Sequence, residues 1–283
     1  MITRLSPTPS GFLHKGNIYN FLVAWLWARS NKGKVLLRID DVDSLRKRPE
    51  YVEDIFRVLD FLGLDWDMGP SGPDDFEKNW SSIHRTDLHF EILNELMQKE
   101  LLFACECNRS DKDKCICIEK QISFSQPNNA WRIKVPANTL INFNDKLHGN
   151  VSINLFSDNA TSILRKKDNV PAYQVISIAD DRHFDVTHIC RGEDLIPSTA
   201  MQLYIDQYLI QPFFYASKFW HHPVLNNAEG KKISKSAGLM SSSMIHTATK
   251  EELLLDFCNW MGLDKNQGFS LNEMMGRKEF LNN

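Results

Sequence analysis

The feature that most constrains the fold is a buried helix that follows a short strand and a turn. Residues 3–6 predict a strand, which Pro7 ends. Residues 18–28 are apolar on nearly every face, which predicts a helix that other elements cover on both sides. A strand that leads at once into such a helix is typical of a layered α/β fold.

A second strand and helix follow within the first sixty or so residues. The run "KVLLRIDD" (34–41) is apolar and ends in acid, the pattern of a buried parallel strand. Residues 49–62 predict a helix that begins at Pro49 and has Gly63 as its C-cap. The sequence therefore predicts an α/β fold built on a doubly wound, Rossmann-type parallel sheet.

The pattern changes at about residue 103, where short alternating segments and asparagine-rich turns begin. It returns to α/β with "FDVTHICRGEDL", and only helical signals follow Met240. We therefore predict the first half of the sheet domain in 1–102 and its second half in 173–240. A smaller α+β domain is inserted at 103–172, and a short helical region forms 241–283.

Charge and hydropathy limit the function classes. The net charge of −3 argues against an extended nucleic-acid-binding surface, so any RNA would meet local basic patches. No apolar run is long enough to span a membrane, and no secretion leader is visible at the N-terminus. We therefore expect a cytoplasmic protein with no membrane partner.

Four of the six cysteines are close together in the predicted insertion. They are Cys105, Cys107, Cys115 and Cys117. Four thiolates at this spacing suffice for a closed tetrahedral zinc site, with unmetallated thiols as the alternative. Disulfides are disfavoured in a chain without an export signal. Cys190 and Cys258 each lie in an apolar run and are predicted core residues.

The turn "PSGFLHKGN" joins the first strand to the buried helix and suits a nucleotide. A helix N-terminus offers N–H groups and a positive dipole to phosphates. Gly16 permits close approach, and His14 can donate to phosphate oxygens. The basic motif "KKISKS" (231–236) can neutralise a leaving pyrophosphate. Taken singly, each motif is also compatible with an ordinary turn or a solvated loop.

Four motifs in this order together resemble class I aminoacyl-tRNA synthetases of the glutamyl/glutaminyl group. They are "TRLSPTPSGFLHKGN", "RIDDVD", "AYQVISIADDRHFDVTHICRGEDL" and "HHPVLNNAEGKKISKS". The resemblance extends from about Arg4 to about Ser236. It implies activation of an amino acid by ATP with Mg²⁺, followed by transfer to RNA.

The resemblance also implies roles for the matching residues. For ATP and catalysis these are His14, Gly16, Asn17, Lys232, Ser234 and Lys235. For the amino acid they are Arg4, Ser6, Thr8, Asp40, Tyr173 and Arg191. The residue types fit, because a carboxylate can hold an ammonium and arginine pairs with carboxylates. A plain ion pair is the alternative for Asp40 and Arg191.

Arg191 favours glutamate as the amino acid. The bacterial glutamyl branch usually carries Glu at the position of Asp40, whereas the glutaminyl and archaeal glutamyl branches carry Asp, so Asp40 leaves the choice open. The glutaminyl enzymes lack an arginine at the position of Arg191. The glutamyl enzymes use that arginine on the side-chain carboxylate.

After "KISKS" only residues 237–283 follow, whereas tRNA-charging members continue into a much larger anticodon-binding region. Short chains of this kind resemble glutamyl-queuosine tRNA(Asp) synthetases, which attach glutamate to queuosine in the anticodon. That family carries zinc in an insertion that opens with the same "C-x-C", but its second half commonly shows a tyrosine and a more distant cysteine. We therefore expect a monomer that uses ATP, L-glutamate and tRNA(Asp), contains structural Zn²⁺ and lacks an anticodon-binding domain.

Three other readings remain open at this stage. An ordinary glutamyl-tRNA synthetase would charge a tRNA 3′ end. A small nucleotidyltransferase would explain adenylation, but not "RGEDL", "RIDDVD" or the insertion. A catalytically inactive synthetase-like binding protein is the third, and pyrophosphate exchange with glutamate separates it from an enzyme.

Overall fold

The computed structural model describes residues 1–42, 45–108, 115–156, 162–225 and 242–281. The chain divides into two compact units. The first unit contains Met1–His84, Val186–Glu193 and Phe219–Asn283, and the second contains Arg85–Asp185 and Asp194–Lys218.

The elements are as follows, in chain order. The strands are β1 (Ile2–Leu5), β2 (Lys34–Leu37), β3 (Leu102–Cys105), β4 (Ala130–Ile133), β5 (Leu140–Asp145), β6 (Gly149–Asn154), β7 (Ile163–Arg165), β8 (His188–Gly192) and β9 (Lys218–His222). The α-helices are α1 (Lys15–Ser30), α2 (Pro49–Leu62), α3 (Pro73–Asp75), α4 (Thr86–Gln98), α5 (Tyr173–His183), α6 (Ile196–Asp206), α7 (Lys250–Met261) and α8 (Leu271–Met274).

Strands β1 and β2 pair in parallel in the first unit, with helix α1 between them in sequence. Leu5 lies opposite Leu37 in this register. Strand β8 follows on the other side of β1, where the Thr187 N–H donates to the Ile2 carbonyl at 3.0 Å. The predicted α/β fold with a parallel sheet is therefore confirmed.

Strand β2 ends earlier than the predicted run at 34–41. Regular pairing stops at Leu37, although the Arg38 N–H still donates to the Leu5 carbonyl (2.9 Å) and the Asp40 N–H to the Pro7 carbonyl (2.8 Å). Pro7 has no N–H to return, so the ladder cannot continue. The segment up to Asp40 nevertheless runs alongside the end of β1 and the residues that come after it.

Helix α1 is buried on both sides, as predicted. Each residue from Phe21 to Ala28 is buried. Trp27 meets Trp220 of β9 edge to face, with ring centroids 5.4 Å apart. Elsewhere on the helix, Tyr19 packs against Trp260 of α7 at 5.0 Å. The C-terminal helical region thus forms part of the core of the first unit.

Helix α2 also follows the prediction. Pro49 occupies its first turn, and Gly63 ends it in the left-handed conformation at φ 75°. Apart from Asp54, its buried face consists of apolar residues at helical spacing. They are Val52, Ile55, Val58, Leu59 and Leu62.

The second unit is α+β. Strands β3, β4 and β7 form an antiparallel sheet, and β5 and β6 form an antiparallel hairpin. Helices α4 and α5 are joined by the fully buried Asp180, which accepts from Arg85 Nη2 and is 2.9 Å from His89 Nε2. With this contact, α4 is part of the second unit, whereas the sequence analysis places its residues in region 1–102. The predicted domain boundaries remain a prediction.

The helical signals after Met240 include a run at 270–277, of which the structure makes only Leu271–Met274 (α8) helical. Within the described ranges, each helix is either too short or too polar to span a bilayer.

Gly69 provides a test of how the end of β2 is held. At φ 125° it has a backbone conformation that other residues rarely adopt, and an added Cβ would overlap the carbonyl oxygen of Leu37. We predict that Gly69→Ala lowers the free energy of unfolding by about 2–4 kcal/mol, from strain and overpacking combined. Gly72→Ala is the control, because a Cβ there meets nothing within 4 Å. Equal denaturant midpoints for the two variants would contradict this packing.

Candidate functional site

His14 begins helix α1 and is held by its own turn. Its Nδ1 accepts from the Gly16 N–H at 3.1 Å, while the His14 N–H donates to Asn17 Oδ1 at 3.1 Å. These reciprocal bonds form a capping box. Because Nδ1 accepts, the neutral imidazole carries its proton on Nε2, where it can act as a donor.

Position 16 needs a glycine because a side chain has too little room there, and not because of its backbone conformation. An added Cβ would lie 3.0 Å from both Cε1 and Nδ1 of His14. Such a contact is tighter than ordinary packing and would displace the imidazole ring. The two predicted residues therefore depend on each other, since Gly16 leaves room for the His14 ring that caps helix α1. Asn17, also predicted for ATP, contributes its side-chain oxygen to that cap.

The segment after β1 lies beside the segment after β2. The bond from Asp40 N–H to the Pro7 carbonyl places Asp40 next to Ser6 and Thr8. Ser6 Oγ is buried and has no hydrogen-bond partner among the residues that the structure describes. A buried hydroxyl without a partner is costly, and this one lies among the predicted amino-acid-binding residues.

Asp40 forms an ion pair within its own strand segment. Its two carboxylate oxygens accept from Arg38 Nε at 2.8 Å and Arg38 Nη2 at 3.2 Å. The Arg38 side chain is 2% exposed and that of Asp40 is 18% exposed. The ion-pair alternative considered for Asp40 thus has a specific partner, which the sequence analysis did not identify.

Two buried arginines lie on neighbouring strands. Arg4 is on β1 and Arg191 on β8, and each is 3% exposed. Arg4 Nη1 donates to the carbonyl of Cys190 at 3.2 Å, directly before Arg191. The geometry thus brings together two predicted amino-acid-binding residues, whose planar guanidinium groups suit carboxylates.

The remaining predicted residues are Tyr173 and three residues of the "KKISKS" motif. Tyr173 is the first residue of α5, in the second unit, and is 43% exposed. Lys232, Ser234 and Lys235 lie outside the described residues.

Asp41, the neighbour of Asp40, was missed by the sequence analysis. It is buried and accepts from Ser81 Oγ (2.7 Å), the Ser82 N–H (2.8 Å) and Lys47 Nζ (3.0 Å), and also from Ser82 Oγ. Burial raises the pKa of Asp41, but the hydrogen bonds from Ser82, Ser81 and Lys47 together hold it below its ordinary value. An ionised Asp41 thus fixes the segment after β2 to residues 81–82. The paired acids of "RIDD" were the available signal.

The four clustered cysteines lie together in the second unit. Their sulfurs are all within 4.8 Å of one another. Cys105 Sγ is 3.6 Å from Cys115 Sγ, and Cys107 Sγ is 3.5 Å from Cys117 Sγ. Sulfurs bound tetrahedrally to zinc at about 2.3 Å lie roughly 3.8 Å apart. The four thiols therefore fit a metal ion of this type.

Local contacts support this arrangement. Lys167 Nζ donates to the carbonyl of Glu106 at 2.7 Å, which holds the turn between the first two cysteines. A hydrogen bond with Cys117, together with burial, raises the pKa of Cys107 to about 12. The Cys107 thiol thus keeps its proton in the absence of a metal, and a bound divalent cation would displace that proton.

Asp41 gives the first test of the site. Because its folded-state pKa is lowered, its stabilisation is fully present above the unfolded value of about 3.9 and is lost as the pH falls through the folded value. We predict that Asp41→Asn lowers the free energy of unfolding by about 2–4 kcal/mol at pH 7. Urea unfolding should show this deficit shrinking below pH 4. A deficit that is the same at pH 7 and pH 3 would contradict the account, and exposed Asp60→Asn is the control.

Metal content gives the second test. We predict about one zinc per chain after purification without added zinc, because the four sulfurs match a closed site. Cys107→Ser should lose the metal and loosen the surrounding second unit, whereas Cys258→Ala, in the core of the first unit, should retain it. Elemental analysis is the measurement, and a parent protein without stoichiometric metal would refute the site.

Comparison with known proteins is consistent with this geometry. The chain is 33% identical over 258 residues to glutamate–tRNA ligase 1 of Ehrlichia chaffeensis, covering 84% of this chain and 55% of that protein. It is 33% identical over 246 residues to a glutamyl-Q tRNA(Asp) synthetase of Neisseria meningitidis, covering 82% of this chain and 79% of that protein. The chain spans about half the length of the curated glutamate–tRNA ligases that it matches.

A solved structure shows the same fold. The glutamate–tRNA synthetase of Elizabethkingia anophelis matches with a TM-score of 0.77 and 23% identity, over 98% of this chain and 65% of that one. The family model described as tRNA synthetases class I (E and Q), catalytic domain, matches residues 1–283. This chain therefore belongs to the class I tRNA synthetases of the E and Q group.

Proposed function

We propose that this protein activates L-glutamate with ATP and transfers it to the queuosine base in the anticodon of tRNA(Asp). The observation that carries the activation step is the arrangement in the first unit. There, Arg4 and Arg191 lie buried on β1 and β8, Ser6 directly follows β1, and His14 caps the start of α1. These groups suit a nucleotide and an acidic amino acid.

In the proposed reaction, a carboxylate oxygen of glutamate attacks the α-phosphorus of ATP. A bond forms between that oxygen and the phosphorus, the bond to the bridging oxygen breaks, and pyrophosphate leaves. In the transfer, a hydroxyl oxygen of the acceptor attacks the glutamyl carbonyl carbon, the bond from that carbon to the phosphate oxygen breaks, and AMP leaves. The positive end of α1 and the Nε2–H of His14 suit the phosphates. Mg²⁺ supplies positive charge to the phosphates when it is bound. Lys232, Ser234 and Lys235 are proposed for the same task on the strength of the resemblance.

For the amino acid, we propose that Arg191 binds the side-chain carboxylate and Asp40 the ammonium. Glutamate carries two carboxylates and one ammonium, and a guanidinium can bind a carboxylate through two parallel hydrogen bonds. An ammonium at Asp40 would join the ion pair that Arg38 already makes. Arg4, Ser6, Thr8 and, on the strength of the resemblance, Tyr173 are also proposed to bind the amino acid.

The likeness to a glutamyl-Q tRNA(Asp) synthetase, over 79% of that protein, supports queuosine of tRNA(Asp) as the acceptor. Equal identity to a glutamate–tRNA ligase favours a second candidate, the 3′ end of a tRNA for glutamate. The two candidates share the activation step and differ in the acceptor.

We also propose the following division of the chain into domains. It comprises a doubly wound Rossmann domain in two halves, 1–102 and 173–240, with a zinc-containing insertion at 103–172 and a helical region at 241–283. The monomeric state and the cytoplasmic location remain predictions.

Arg191→Ala tests the choice of glutamate. Loss of a charge-assisted pair at a buried site should reduce kcat/KM for glutamate in pyrophosphate exchange by about tenfold to a thousandfold. The control is Arg57→Ala, because Arg57 is exposed on α2 and pairs with Glu53. Circular dichroism should confirm that both variants are folded. Normal glutamate kinetics in folded Arg191→Ala would refute the assignment.

The acceptor is tested by labelling. Radioactive glutamate should be transferred to tRNA(Asp) that contains queuosine, and neither to the same tRNA without queuosine nor to tRNA(Glu). Nuclease digestion then locates the label in the anticodon loop. Label at the 3′ adenosine of tRNA(Glu) would instead support the second candidate.

A further inference from the structure

Helix α2 contacts the segment directly before His14 at two consecutive residues. Asp54 Oδ2 accepts from the Leu13 N–H at 3.0 Å. One turn earlier on the helix, the Tyr51 ring meets the Phe12 ring edge to face, with centroids 5.1 Å apart. The backbone that leads into the nucleotide-type turn is therefore held by α2, outside the turn itself.

Asp54 is an unusual residue for this place. It is 1% exposed, and its Oδ1 has no hydrogen-bond partner within the ranges that the structure describes. A buried carboxylate is costly unless it is well paired, and a single backbone N–H compensates for little of that cost. Asparagine would keep an acceptor for the Leu13 N–H without the cost of a buried charge, and would serve stability equally well or better. A role in folding alone therefore does not explain the acid.

The carboxylate does have an effect at the start of α1. A hydrogen bond to an ionised acceptor is stronger than one to a neutral oxygen, so it fixes the Leu13 peptide firmly. The negative charge also lies near the positive end of the α1 dipole. The bonds among His14, Gly16 and Asn17 make the turn rigid internally. The bond from Leu13 to Asp54 attaches that rigid turn to the core.

We propose that Asp54 is a positioning residue that sets the orientation of His14 by holding the Leu13 N–H. It acts through the backbone and does not touch the substrate. The inference rests on the proposed function in one respect, because it takes the His14 turn as the ATP-binding element.

Three variants test this role. Asp54→Leu removes the acceptor, Asp54→Asn keeps a weaker neutral acceptor, and Asp60→Asn makes the same chemical change at an exposed position of α2. We expect kcat in glutamate-dependent pyrophosphate exchange to fall about ten- to a hundredfold in Asp54→Leu, as for a misplaced catalytic group. Asp54→Asn should lie between that variant and the parent, and Asp60→Asn should match the parent.

Stability separates positioning from a merely structural role. Asp54→Asn, which keeps an acceptor for the Leu13 N–H, should keep or raise the thermal midpoint while kcat falls, whereas a structural residue would lose both together. Parental kcat in folded Asp54→Leu and Asp54→Asn would overturn the proposal. So would a loss of activity that only follows a loss of stability.

A readout that needs no substrate keeps the test independent of the proposed function. Amide hydrogen exchange of a peptide that spans residues 11–17 should be at least tenfold faster in Asp54→Leu, with the α1 interior unchanged. Unchanged exchange in that peptide would overturn the proposal, even in a protein without any activity on glutamate. A parent that lacks glutamate-dependent exchange would refute only the proposed function.

Discussion

The parallel pairing of β1 with β2 is the constraint on which the rest of the first unit depends. It requires a crossover, which α1 supplies, and it brings the two strand ends to the same edge of the sheet. The bond from Asp40 N–H to the Pro7 carbonyl extends this proximity beyond the strands. The start of α1, Ser6 and Asp40 are thereby gathered at one edge, where ligands of such sheets bind.

Buried carboxylates fix the segments around this edge. Asp41 joins the end of β2 to residues 81–82, and Asp54 joins α2 to the segment before His14. Within the second unit, Asp180 of α5 bonds to Arg85 and His89 and so joins α5 to α4. Each acid holds its partner by directional bonds, so the loops that carry the candidate chemistry are fixed without being part of a sheet.

Local patterns predicted the fold well, and long-range polar contacts were not predictable. The buried faces of α1 and α2 and the Gly63 cap follow from residue periodicity and from the conformational freedom of glycine. The Asp54 contact joins residues 41 positions apart, and no periodic pattern marks it. The partner of Asp40 was two residues away, and in the predicted strand the two side chains would share one face. No pattern in the sequence shows that they pair with each other and not with a ligand.

The most direct measurement of the central claim is ATP–pyrophosphate exchange by the unmodified protein with a panel of amino acids and added total tRNA. We predict exchange with glutamate that is at least a hundredfold faster than with glutamine, since a site built for a carboxylate rejects the neutral amide strongly. Exchange that is equal for glutamate and glutamine, or absent with every amino acid while ATP still binds, would contradict it.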